Sequence, residues 1–186
     1  EDERGFSFLF VDDGSKDDTA AILRERIAAA GNPDIALHSY PVNRGKGYAI
    51  HAGVERCRTD LVCFTDGDLA YPLDHLLLLR DALAEADVVI GDREVQDLAH
   101  MSAMRKRLQW LGSWVVRQVS DTKVPDTTSG FRAYTREAAL RMTIVSEFTY
   151  TLESIIQAGK RRMAIAHVPI RSNPRTVLGL AAAISA

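Results

Sequence analysis

The 186-residue chain is poor in several features that would each announce a function. It has two cysteines, Cys57 and Cys63, and neither has a Cys-x-x-Cys partner, so neither structural zinc nor thiol redox chemistry is signalled. They read as small apolar residues in a reduced compartment. The histidines, His38, His51, His75, His100 and His167, are scattered without metal-ligand spacing. There is no excess of positive charge: 23 Lys and Arg stand against 25 Asp and Glu, for a net charge of -2. A general nucleic-acid binder needs a basic field to hold phosphates, so that class is excluded and any basic site is local. A secretory signal is not visible, because Glu1-Asp2-Glu3-Arg4 replaces the basic-then-apolar run. The longest apolar tail, Val177 to Ala186, is far too short to span a bilayer and reads as a terminal helix or the edge of something longer. Internal repeats, low-complexity tracts and linkers are also missing, which predicts one domain over residues 1–186.

What is present is a core-forming composition, 46% hydrophobic and 26% charged. Phe6 to Val11, Ile35 to Tyr40, Leu61 to Phe64 and Val88 to Ile90 are short apolar runs rich in strand formers. Helical patterns lie between them: one opened by Asp17-Asp18-Thr19 and stopped by Gly31-Asn32-Pro33, one running to about Cys57, and a Leu-rich one after Pro72. Strand and helix alternate, which predicts a parallel sheet with helices on both faces. The second half is less regular. It offers an amphipathic helix over Ala103 to Val119, a loop from Asp126 running into a short strand at Tyr134, helices over Glu137 to Met142 and Tyr150 to Ala158, and a last strand over Met163 to Ile170. Trp110 and Trp114, four apart, share a helix face and are expected in the core, with a membrane interface as the lesser alternative.

The polar motifs all fall at the C-terminal ends of strands, where open α/β sheets bind ligands. Asp66-Gly67-Asp68 places two carboxylates one residue apart, and Gly67 permits a sharp turn between them. Hard oxygen ligands of this kind suit Mg²⁺ or Mn²⁺, with substrate phosphates completing the shell. Asp12-Asp13-Gly14-Ser15 ends a buried strand, where unpaired acids are costly. They can accept from a base or a ribose hydroxyl; alternatively Ser15 or Asp17 caps the following helix and the acids favour its dipole. Asn43-Arg44-Gly45-Lys46-Gly47 offers close backbone approach and a cation. It lacks Walker-loop spacing and the dinucleotide fingerprint, so a plain turn with a solvated Lys46 is its other reading.

The order of these pieces, Val11-Asp12-Asp13-Gly14-Ser15, then Asn43-Arg44-Gly45-Lys46-Gly47-Tyr48-Ala49, then Asp66-Gly67-Asp68, resembles the inverting family 2 glycosyltransferases of the GT-A fold, a Rossmann-like α/β architecture. Gly91-Asp92-Arg93, Asp126-Thr127-Thr128-Ser129-Gly130-Phe131-Arg132 and Leu152-Glu153 resemble the polyprenyl-phosphate branch, to which dolichyl-phosphate mannose synthases belong. The resemblance runs from about Phe8 to about Arg175. It implies a nucleotide-sugar donor (UDP or GDP), a polyprenyl phosphate acceptor (dolichyl or undecaprenyl), and placement at the cytoplasmic face of a membrane. It implies that Asp12, Asp13 and Lys46 meet the nucleoside, and that Asp66, Gly67 and Asp68 meet the metal and diphosphate. Asp126, Arg93, Arg107, Ser129 and Arg132 would face the acceptor phosphate and the reacting sugar, with Arg175 near the membrane-side entrance. Two departures stand out. The family's earlier strand, with its Pro-x-Tyr-Asn-Glu-like segment, does not precede Asp12, and Ala70 replaces a polar residue, often Gln, two positions after Asp68.

The residue types agree with such chemistry. A lipid phosphate is already ionised near neutral pH and needs cations that hold it in line, a task suited to the planar fork of Arg. A sugar-hydroxyl acceptor, as in polysaccharide synthesis, would instead need a carboxylate base, and Asp126 or Glu153 could serve. For Arg93, Arg107 and Arg132 the competing assignment is solvated surface charge or ion pairing, and Arg105, Lys106 and Arg107 form a possible wet helix face. A non-catalytic, partner-binding remnant is the rival from another class.

Overall fold

The computed structural model describes residues 5–68, 70–93, 103–144 and 149–171. Expectations for Arg175 and the tail over residues 177–186 lie outside the described residues. The chain divides into two compact units, Glu1–Arg58 with Thr143–Tyr150, and Thr59–Met142 with Thr151–Ala186.

In the first unit, β1 (Phe8–Asp13) and β2 (Ile35–Tyr40) pair in parallel, with Phe8 opposite Ile35 and Asp13 opposite Tyr40. A parallel pair needs a crossover, and α1 (Thr19–Ala30) supplies it. Gly31, at φ 59°, ends that helix in the left-handed conformation, and its N–H bonds to the Ile27 carbonyl. The helix α2 (Lys46–Arg56) begins directly after the Asn43-Arg44-Gly45 loop and buries Ala52 and Val54.

In the second unit, β3 (Leu61–Phe64), β4 (Val88–Asp92), β5 (Arg132–Thr135) and β6 (Ile165–Pro169) form a sheet in the order β3-β5-β4-β6. The helices are α3 (His75–Ala82), continued by a 3-10 turn over Leu83–Glu85, α4 (Ala103–Ser120), α5 (Arg136–Arg141) and α6 (Tyr150–Lys160). Thr135 caps α5 by accepting from the Ala138 N–H at 3.2 Å. Val88, Val89 and Ile90 of the central β4 are fully buried, each contributing roughly 1.5–3 kcal/mol by leaving water. That is why β4 reads as a continuous apolar run rather than an alternating one.

The parallel expectation holds for β1 with β2 and for β4 with β6, whereas β5 runs antiparallel to both β3 and β4. The chain enters β5 from the loop that follows α4, and an antiparallel strand needs no further crossover helix. A second departure concerns α4. Trp110 and Trp114, expected in the core, are 56% and 45% exposed. The side of α4 turned inward carries Ser113, Val116 and Ser120 instead, and the two serines are anchored by hydrogen bonds that repay their burial.

Candidate active site

The strand ends of the first unit hold one cluster. Asp12 is buried, and its carboxylate accepts from the Ser15 N–H at 3.2 Å and the Ser39 hydroxyl at 2.8 Å. The parallel register sets Ser39 opposite Asp12, which explains that second bond. The bonds from Ser15, and then Ser39, hold the Asp12 carboxyl below the usual carboxylate range against the effect of burial. Asp13 accepts from the Arg44 N–H at 2.8 Å, tying the two motifs of this unit together. Gly14 lies between them at φ 67°, where a Cβ would sit 2.5 Å from the Asn43 nitrogen, so no other residue fits. Burial, then the neighbouring Asp13 charge, pushes the Tyr40 phenol well above its ordinary value. Arg44 stacks on Tyr48 at 4.7 Å, and the Lys46 ammonium lies 5.0 Å from the centre of the Tyr150 ring. Asp12, Asp13 and Lys46 thus lie on one short loop system, and the N-cap position of α1 falls to Asp18, without a side-chain cap bond, rather than to Ser15 or Asp17.

The second unit holds the other cluster. Asp68 is exposed after β3, with one carboxylate oxygen accepting from the Ala70 N–H at 3.0 Å. Asp66 is half-buried beside it. Among the described residues no group of three acids, histidines or cysteines forms a complete metal cage. Two hard carboxylates that leave the remaining shell to water and a diphosphate fit Mg²⁺ or Mn²⁺, which keep several non-protein ligands.

At the end of β4, Arg93 grips Asp126 with Nε to Oδ2 at 2.6 Å and Nη2 to Oδ1 at 3.0 Å. The same Nη2 donates to Thr128 Oγ1 at 2.6 Å, and Gln109 of α4 donates to that oxygen at 2.6 Å. The Thr128 N–H closes onto Asp126 Oδ1 at 3.1 Å. Burial alone would push the Asp126 carboxyl up, but the Arg93 guanidinium and the Thr128 donors outweigh it and hold the acid below its usual range. Tyr71 packs on Phe131 with ring centres 5.2 Å apart, and its burial pushes the phenol up, while Arg93 lowers it and Asp126 and Asp66 raise it. Tyr71 therefore lies within electrostatic reach of both the Asp66 motif and the Arg93–Asp126 pair.

Arg132 lies beneath the same loop. It is fully buried, and its guanidinium donates to the carbonyls of Ser129 at 2.7 Å, Thr127 at 2.9 Å and Thr151 at 2.8 Å, and to the Ser154 hydroxyl at 2.7 Å. These bonds tie the inner side of the 126–131 loop to α6, so Arg132 braces the loop. Ser129 is also fully buried, and its hydroxyl accepts from the Phe131 N–H. The exposed hydroxyl of this loop belongs to Thr128. Arg107 lies exposed on α4. Thr128, Gln109 and Tyr71 were not singled out from sequence. Gln109, Ser113 and Ser120 share the inward side of α4 at helical spacing, a polar stripe that is the one signal available for finding Gln109.

Residues 3–142 match the family model described as glycosyl transferase family 2. The chain belongs to this family. As a family 2 member it is 31% identical over 90% of its length to a dolichyl-phosphate beta-glucosyltransferase (ALG5C) of Trichomonas vaginalis, covering 53% of that protein. It is 32% identical over 77% of its length to an undecaprenyl-phosphate 4-deoxy-4-formamido-L-arabinose transferase of Pseudomonas paraeruginosa, covering 42% of it. The chain thus spans about half the length of the curated relatives it matches. Among solved structures it is similar to glucosyl-3-phosphoglycerate synthase of Mycobacterium tuberculosis in complex with Mn²⁺, UDP and phosphoglyceric acid. That likeness has a TM-score of 0.67 at 21% identity, covers 96% of this chain and 64% of that one, and identifies the fold as GT-A.

Proposed function

We propose that this family 2 chain carries the transfer site of an enzyme that moves a sugar, with inversion, from a UDP- or GDP-sugar to a polyprenyl phosphate. The observation that carries the choice of acceptor is the saturation of Asp126. A hydroxyl acceptor needs a carboxylate free to take its proton. Asp126 is held ionised by Arg93 and Thr128, with both oxygens engaged. An acceptor phosphate arrives already ionised and needs positioning instead.

The residues supply that positioning. Asp12, Asp13 and Lys46 receive the nucleoside in the first unit. Asp66 and Asp68 would hold a divalent cation, Mg²⁺ or Mn²⁺, which would neutralise the charge that builds on the leaving diphosphate. Arg93, which bonds to Asp126 and Thr128 and also lies beside the Tyr71 phenol, is assigned to the acceptor phosphate on the family resemblance. Arg132 has no carboxylate partner among the described residues, so its buried charge adds a positive field behind the same loop without contact. Arg107 and Arg175 are assigned to the acceptor side on the family resemblance alone, as is placement at the cytoplasmic face of a membrane. Among the described residues no helix is long and apolar enough to cross a membrane.

The test is calorimetric titration of UDP and GDP with and without Mn²⁺, followed by sugar transfer to a short polyprenyl phosphate. Asp68→Ala is expected to abolish metal-dependent binding and transfer while leaving the fold intact, because the side chain is exposed. Normal turnover by that variant with metal present overturns the metal assignment. Transfer to a sugar hydroxyl but not to the lipid phosphate overturns the acceptor. Failure of a folded sample to bind either nucleotide favours a non-catalytic role.

A further inference from the structure

Tyr71 joins the two parts of the cluster in the second unit. It stands three residues after Asp68 and directly before Pro72, whose ring disfavours a helical backbone at Tyr71. Its aromatic ring is buried and packs on Phe131, with 35° between the two planes. Phe131 is itself fully buried, and its carbonyl accepts from the Gly91 N–H at 2.9 Å. A Cβ on Gly91 would stand 3.1 Å from that same carbonyl, so β4 runs hard against Phe131 two residues before Arg93. The ring of Tyr71 is thereby anchored on the segment that carries Arg93. Its phenol lies beside the Arg93 guanidinium, while Asp126 and Asp66 reach it through charge and not through a hydrogen bond.

Donor and acceptor chemistry then decides what the hydroxyl offers. A guanidinium only donates, so towards Arg93 the phenol oxygen accepts. A phenol keeps its proton at neutral pH, which leaves the O–H itself as a donor. Asp126 does not call for it, because its oxygens already take Arg93 Nε, Arg93 Nη2 and the Thr128 N–H. The donor is left for an incoming oxygen. On that side the Asp66–Asp68 pair would hold a divalent cation, which takes phosphate oxygens to complete its shell. A phosphate has three acceptor oxygens and can meet a cation and a phenol at once.

We propose that the Tyr71 hydroxyl is a further substrate-binding group, which donates a hydrogen bond to a phosphate oxygen held beside the Asp66–Asp68 motif. The inference rests on the sugar-transfer reading for its ligand, a phosphate carried either by the nucleotide donor or by the acceptor. The buried ring fixes where the hydroxyl stands, so the bond costs little side-chain freedom when the phosphate arrives.

The experiment is Tyr71→Phe in the full chain, which removes the hydroxyl and keeps the ring on Phe131. The variant and the native chain are titrated calorimetrically with UDP and GDP in the presence of Mn²⁺, and with a short polyprenyl phosphate. A loss of affinity of about tenfold or more in at least one titration is expected, the size for a hydrogen bond to a charged oxygen, with the melting temperature unchanged. Loss confined to the nucleotides assigns the hydroxyl to the leaving diphosphate. Loss confined to the polyprenyl phosphate, with a matching rise in its KM, assigns it to the acceptor. Native affinity for every ligand overturns the proposal. The substitution is repeated in an Arg93→Lys background, where a direct contact is expected to show the same loss. Disappearance of the loss there would mean that Tyr71 acts only by positioning Arg93, and overturns the contact. Transfer to a sugar hydroxyl, by a chain whose Mn²⁺-dependent nucleotide binding still falls with Tyr71→Phe, would remove the polyprenyl-phosphate assignment and leave this inference standing. A folded native chain that binds none of the ligands overturns both.

Discussion

Arg93 and Asp126, 33 residues apart in the chain, meet two-on-two, with Nε and Nη2 of the guanidinium on the two carboxylate oxygens at 2.6 and 3.0 Å. The carboxylate is almost wholly buried and the guanidinium mostly so, at 2% and 23% side-chain exposure. This pairing decides what the site can do, because it converts the one acid of the 126–132 segment from a base into a fixed counter-charge.

Breaking the pair from one side strands a buried charge. Arg93→Ala is expected to destabilise the second unit by about 3 kcal/mol, and Asp126→Ala by a similar amount. The double variant is expected to be markedly more stable than the sum of the two losses implies. Urea unfolding of the four proteins measures the coupling, and strict additivity would mean that the pair contributes nothing.

The same acid makes stability depend on pH. Its folded pKa lies below the ordinary value of 3.8, so the unfolded chain takes up its proton first as pH falls. The contribution is complete above about pH 4 and is lost as pH drops through the folded pKa. Denaturation between pH 6 and pH 2.5 is expected to show a steeper acid loss in the native chain than in Asp126→Asn. Asp12, lowered likewise, keeps part of the slope in both proteins.

Arg132→Met tests bracing against contact. It leaves the carbonyls of Thr127, Ser129 and Thr151 unpaired in the interior, and it is expected to cost on the order of 3–5 kcal/mol and lower the melting temperature substantially. If Arg132 instead touched the acceptor, Arg132→Lys would raise the acceptor KM and leave the melting temperature unchanged.

Gly14→Ala is expected to cost about 1–3 kcal/mol and to weaken nucleotide binding at least as much, because the new Cβ meets the Asn43 nitrogen in a left-handed turn. Thermal melting and calorimetry on one sample separate the two effects. Unchanged binding would detach this loop from the nucleoside.

The strands were legible where local signals were strong. Ile35–Tyr40 and Leu61–Phe64 lie where their apolar runs predict, and Gly31 stops α1 as a left-handed cap should. The sense of β5 was not legible, since its four residues carry no mark of direction, and pairing with β3 and β4 sets it. Cys57 and Cys63, read as small apolar residues, are only partly buried, and loss of solvation pushes the Cys63 thiol up to about 11, far from a reactive thiolate.

Local chemistry, then, is what the sequence determines by itself: Asp66 and Asp68 one residue apart, and a segment from Ala103 to Val119 with cations and no acid. These follow from covalent spacing and residue type, which folding cannot alter. The tertiary structure alone decides which charges are spent and which are offered. Arg93 and Arg132 look alike in the sequence. One ends at the rim of the sheet with a carboxylate in its fork, and the other is sealed beneath a loop among carbonyls. The same holds for α4, whose periodicity defines two faces but not which one is inside. The hydrogen bonds of Gln109 to Thr128 and of Ser113 to Thr127 fix the polar side against the 126–131 loop and leave the apolar face outward.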